Sequence, residues 1–143
     1  MTVKSEEEKV KGTIFAAFEA GKNRNFGVLS RIHVDDESFS KFGENPPYEM
    51  QDVRDALVLE EIGFASLSGY DYEIQNLKIS LIDRAAIATF MLNYSGLLVD
   101  NTTFEGRTIK VRSRATFVLT KSGSDWLILH EHLSRVPDEH IKT

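Results

Sequence analysis

The chain has 143 residues, 41% hydrophobic and 27% charged, a composition too apolar for disorder and a length too short for two independent cores, so one globular domain over 1–143 is expected. Its formal net charge of −5, from 22 acidic against 17 basic residues, repels phosphate backbones and disfavours nucleic acid as a partner. The lack of cysteine excludes disulfides, a thiol nucleophile and thiolate metal sites, and is compatible with a cytoplasmic location.

The start, MTVKSEEEKVKG, carries no apolar signal-peptide core, and no run approaches the roughly 18 apolar residues of a spanning helix, so no membrane partner is expected. The sequons at Asn93 and Asn101 are accordingly expected to be incidental. Residues 5–21 read as an amphipathic helix: Ser5 and Glu8 form a capping-box pattern, and Val10, Ile14, Phe15, Ala17 and Phe18 an apolar stripe that stops at Gly21. A short helical piece follows over Phe26–Ile32, then the acidic HVDDES segment, a short strand near Ser38–Phe42 and a loop enforced by GENPPY. Residues 50–66 form a second long helix, with Met50, Val53, Leu57, Ile62 and Phe64 as its buried candidates. Four segments rich in β-branched and aromatic residues close the chain, about 71–83, 85–99, 107–121 and 125–134, the last two joined by the turn sequence SGSD. Helices first and a meander afterwards predict an α+β fold, with the helices on one face of a curved antiparallel sheet.

In the last strand, strict alternation puts Trp126, Ile128, His130, His132 and Ser134 on one face and Leu127, Leu129, Glu131 and Leu133 on the other. Neither set is simply a solvent face, so both sides are expected to be covered. The ending WLILHEHLS resembles the W-x-I-x-H-x-H-x-S ending of the SnoaL-like and kinase-association branch of the NTF2-like superfamily, and the order of elements, with DDESF and FxxFGENPPY between the helices, extends that resemblance over nearly the whole chain. It implies a cone-shaped barrel, a bent sheet wrapped around a long helix with a pocket at the open end, and a homodimer formed through the outer face of the sheet. Trp126, Ile128, His130 and His132 are then the expected dimer face. Where isomerase-like relatives carry a general-base aspartate this chain has Ser40 and Lys41, and where the hub-type relatives carry a pocket arginine it has Leu133.

With Leu133 inward, Leu129 and Glu131 share its wall, and the resemblance adds Met91 and Asn93 from one strand and Ser113, Ala115 and Phe117 from the next. Such a pocket is apolar with a single carboxylate. Glu131 there would have its proton affinity raised by lost hydration, as a general acid or base requires; the alternative is a structural salt bridge to an arginine. Tyr48 either closes the pocket mouth or staples the loop. The His130-x-His132 spacing suits a metal when a third ligand such as His33, Asp35 or His140 is supplied, but the same pair is accounted for as part of the dimer face, and neither metal nor cofactor is expected. Lys110, Arg112 and Arg114 form a basic stripe on alternate positions of one strand, expected to be paired with acids. The expected function is binding of a small, mainly hydrophobic ligand. The alternatives are an isomerase, dehydratase or cyclase using Glu131, with Tyr48 or His33 orienting the substrate, and a pure association module.

Overall fold

The structure, a computed structural model, describes residues 2–138; His140 and the tail acid Glu139 lie outside them. Helix α1 spans Val3–Lys22 and α2 Gly27–Ile32, strand β1 is Ser40–Phe42, and helix α3 is Val53–Ala65. The meander follows as β2 (Leu67–Ile82), β3 (Ala85–Val99), β4 (Gly106–Ser122) and β5 (Asp125–Arg135). These strands make one open five-stranded sheet in the order β1-β5-β4-β3-β2. The meander is antiparallel as expected, but β1 joins β5 in parallel, so the sheet is mixed and does not close into a barrel. Helix α1 packs against both β2 and β5 although β3 and β4 lie between them, which places it in the hollow of a curved sheet.

Local chemistry sets the helix starts. Thr2, rather than Ser5, caps α1 by accepting the Ser5 N–H at 3.1 Å, and Asp52 caps α3 by accepting that of Asp55 at 2.8 Å. On the concave face Ala86, Ala88 and Ala115 leave room for Phe18, Phe90 and Phe117, whose rings pack at centroid separations of 5.2–6.1 Å. Burying each such ring stabilises the fold by about 1.5–3 kcal/mol. Gly21 lets α1 and α3 approach closely, since a Cβ there would stand 2.3 Å from the Phe64 ring. Met50 and Ile62, read from the sequence as buried, are 66% and 58% exposed. Met50 precedes the helix, and the outer turns of α3 stand over an open cavity rather than over packed core.

The alternation expected of β5 breaks in the middle. His130 pairs with Val118 while Ile128 pairs with the next residue, Leu119, so Leu129 is an extra, unpaired residue of a β-bulge. Before it, Trp126 and Ile128 point inward and are 3% and 0% exposed; after it, Glu131 and Leu133 point inward instead. The expected dimer face is therefore corrected: Trp126 and Ile128 belong to the core, Trp126 donating its indole N–H to Glu6 on α1 at 2.7 Å, and only His130 and His132 face outward. The expected place of Leu129 on the pocket wall is overturned by the same bulge. Trp126 is the sole tryptophan, so the native protein is expected to show blue-shifted emission, weak acrylamide quenching and no change on dilution. A red-shifted, easily quenched signal would contradict this placement.

Candidate functional site

Between α3, the concave face of the sheet and the loop after β1 lies a cavity of about 440 Å³. Its walls are mostly apolar, with Leu59 and Phe64 from α3, Leu92 from β3, Val111 and Phe117 from β4 and Leu133 from β5. Even-numbered positions of β3 face the hollow, which corrects the expectation for Met91 and Asn93: both lie on the outer face, where Asn93 accepts a hydrogen bond from Arg112 at 2.9 Å. Leu92 and Tyr94 line the cavity in their place. On β4 the odd positions point inward, so Ser113, Ala115 and Phe117 are buried and Lys110, Arg112 and Arg114 form their stripe outside. Tyr48 is 75% exposed and does not reach the cavity.

Two polar groups of residues bracket the apolar middle. At the mouth, Glu44 of the β1–α3 loop accepts hydrogen bonds from Tyr94 Oη, at 2.6 Å, and from Ser113 Oγ, and Arg135 donates to Asn45 Oδ1 at 2.8 Å. Burial, and then the charge of Glu44, push the Tyr94 phenol above its usual range. These contacts lay the GENPP segment across the opening.

The inner end is built from four ionisable side chains. Parallel pairing sets Lys41 directly beside Glu131, and the spacing Val53, Ala56, Glu60 puts Glu60 on the inward side of α3. His33, just past α2, is fixed by Val34 donating to the Ile128 carbonyl at 2.9 Å. Lys41 Nζ lies 2.8 Å from Glu60 Oε1 and 3.3 Å from Glu131 Oε2, while His33 Nε2 lies 3.6 Å from Glu60 Oε1 and 3.5 Å from Glu131 Oε1. The other ring nitrogen of His33 donates to the Leu29 carbonyl at 2.6 Å, which turns Nε2 toward the carboxylates.

Their proton affinities follow from this geometry. Burial alone would depress His33, but hydrogen bonding to Glu131 and Glu60 and their charges override it and raise it to about 10. Burial likewise opposes the charge of Lys41, and the charges of Glu131 and Glu60 overcome it, holding the ammonium above its ordinary range. Burial would raise both acids. For Glu60, Lys41 and His33 win and hold it well below the usual carboxylate range. For Glu131, burial and the neighbouring Glu60 charge win and raise it. The cation beside Glu131 is therefore Lys41, 3.3 Å away, rather than an arginine.

One ligand atom each from His33, Glu60 and Glu131 lies within 4.8 Å of the others, a set able to hold a divalent ion, but the ammonium of Lys41 already supplies a cation to both acids. His130 faces the other side of the sheet, 2.8 Å from Ser40 Oγ, and with His132 packs on Phe42; neither approaches His33. The sequence named Glu131, Phe117, Leu133 and Ser113 but missed Glu60, Gln51, Glu44 and Tyr94. The three-and-four spacing of α3 contained the signal for Glu60. Nothing local marks Glu44.

A sequence profile of the SnoaL-like domain matches residues 10–139. No curated protein matches the chain. Among solved structures, an NTF2-like superfamily protein from Salmonella enterica is similar with a TM-score of 0.81 at 14% identity, over 98% of this chain and 97% of that one. A candidate dehydratase of the NTF2-like family from Streptomyces avermitilis gives 0.79 at 18% identity over 94% and 99%. The association domain of C. elegans CaMKII gives 0.66 at 17% identity over 92% and 96%. At such identities the likeness is one of fold. Among the described residues no helix is long and apolar enough to cross a membrane.

Proposed function

Because the chain belongs to the SnoaL-like domain family, with the NTF2-like fold, we propose that it binds a small, mainly hydrophobic, uncharged ligand in the hollow between α3 and the sheet. The observation that carries this reading is the cavity itself: about 440 Å³, apolar in the middle, with buried polar groups converging at one end. That combination of greasy walls and a few oriented polar groups is the usual chemistry of a small-molecule site. Ring-sized neutral compounds are expected to raise the melting temperature in proportion to occupancy, and small carboxylates are not, because Glu60 and Glu131 oppose a desolvated anion. Leu133→Arg, which places a cation on the wall, is expected to reverse that preference. Equal responses from both ligand classes in both proteins would refute the assignment.

A second reading, a proton-transfer enzyme of the isomerase, dehydratase or cyclase type, is favoured by one observation. Glu60 and Glu131 share two partners, yet one is held ionised and the other pushed toward its acid form. Neighbouring carboxylates driven apart in this way are how one site holds an acid and a base at neutral pH. Glu131 is then the general acid. A panel of β-hydroxyketones, followed by the ultraviolet absorbance of a conjugated product, tests it: wild-type turnover lost in Glu131→Gln supports the reading, and no turnover by the wild type across the panel removes it.

The outer face of the sheet, where Phe42, Ile87 and His132 are exposed, is the surface through which we propose homodimer formation, in keeping with the fold shared with an association domain. Sedimentation is expected to show a dimer that Ile87→Lys dissociates; a wild-type monomer at high micromolar concentration overturns it.

A further inference from the structure

The inner end of the cavity is short of hydrogen-bond donors. Oε2 of Glu60 and Oε1 of Gln51 are buried with no hydrogen-bond partner, and Oε2 of Glu131 has only the Lys41 ammonium, 3.3 Å away. All three are oxygens that accept. Of the donors nearby, Lys41 Nζ serves Glu60 Oε1 at 2.8 Å and Glu131 Oε2 at 3.3 Å, and the Nδ1–H of His33 is given to Leu29. One further proton lies between His33 Nε2 and Glu131 Oε1, 3.5 Å apart. Whichever of the two atoms carries it, Glu60 Oε2 and Gln51 Oε1 remain acceptors without a donor. Buried acceptors without partners are rare in folded proteins because each costs about 1–3 kcal/mol, and here they stand at the end of a cavity that Lys41, Gln51, Glu60 and Glu131 all line.

We infer that the molecule bound in this cavity is an uncharged alcohol or phenol, its hydrocarbon body against Phe117, Leu92 and Leu133 and its one hydroxyl proton donated to an unmet acceptor at the inner end, Glu60 Oε2 or Gln51 Oε1. This rests on the ligand-binding reading above and narrows it to a chemical class. An ammonium is excluded by Lys41 and His33, whose positive charges already offset the two acids at this end. A carboxylate is excluded because the two cations at this end are already engaged by the two acids, so an anion would be desolvated there without compensation. A ketone or ether of the same shape brings one more acceptor to an acceptor-rich end and leaves the orphaned oxygens as they were.

The test uses the wild-type chain and pairs matched in shape: 4-tert-butylphenol against 4-tert-butylanisole, and cyclohexanol against cyclohexanone and cyclohexylamine, titrated calorimetrically. The hydroxyl compound of each set is expected to bind about tenfold or more tightly than its partners, the step that one satisfied buried acceptor provides. Glu131→Gln, which turns one acceptor into an amide donor, is expected to narrow that ratio, and Gln51→Leu does the same by removing an acceptor outside the charged quartet. Equal affinity across each set, or tighter binding of the ether and ketone, overturns the hydroxyl inference and leaves the pocket reading standing. No binding by any member overturns both.

Discussion

Lys41→Met is expected to destabilise the protein by about 3–5 kcal/mol, because it leaves two buried carboxylates without the ammonium that compensates them. Lys41 Nζ is within 3.3 Å of both Glu60 and Glu131, and Glu131 is 2% exposed, so water cannot take over the lost role. Thermal denaturation would show a fall of roughly 10–15 °C for a chain of this size. The double variant Lys41→Met/Glu60→Gln removes one charge of each sign and is expected to recover most of the loss, since the penalty comes from imbalance rather than from a missing contact. If the single and double variants melt alike, the four side chains do not act as a charge-balanced unit.

His33 gives the second large effect, read as stability against pH. Its folded proton affinity is raised from 6.5 to about 10 by Glu131 and Glu60 against the opposing effect of burial. The stabilisation is therefore fully present below pH 6.5 and is lost as pH rises through about 10. Glu60, held low, contributes above its ordinary value of 4.5 and loses that contribution only as acid takes pH down through its folded value. Glu131, held high, has the opposite sign and favours the folded state at the acidic end. Tyr70, Tyr72 and Tyr94 are all raised from 10 and contribute their own loss only above that. Urea denaturation across pH 6–10 is expected to show a decline on the order of 3 kcal/mol in the wild type. His33→Gln should be less stable at pH 6 and nearly flat across the same window. A wild-type profile with no slope there would mean that His33 is neutral in the folded state.

The sequence carries the meander well because period-two hydrophobicity and turn residues act locally: β3 begins and ends where its pattern does, and the hairpin turn falls at Gly123 with its positive φ. It hides the bulge. A single extra residue at Leu129 leaves the local pattern looking regular while exchanging the two faces, and only the pairing of β5 with β4 reveals it. The same limit applies to β3, where Met91 and Leu92 are both apolar and alternation alone does not say which one faces in. For the inner site, Glu131 was legible as an odd carboxylate on an apolar strand, but its partners come from an edge strand, a helix and the end of another helix. Lys41 reads locally as a missing acid. Its importance comes from pairing across the sheet with a residue far along the chain.

That pairing has a consequence for how the molecule assembles. The β2–β3, β3–β4 and β4–β5 ladders join neighbours in sequence, so each closes a small loop and can form early. Register of Lys41 against Glu131 instead requires β5 to exist and the N-terminal third of the chain to come back along its edge. The Lys41–Glu131 contact is thus among the longest in sequence separation, whereas Lys41 and Glu60 are only 19 residues apart. Because that register depends on β5, a Glu131→Gln variant is expected to speed unfolding in stopped-flow measurements and to leave the folding rate nearly unchanged; an equal slowing of folding would mean the pair forms early.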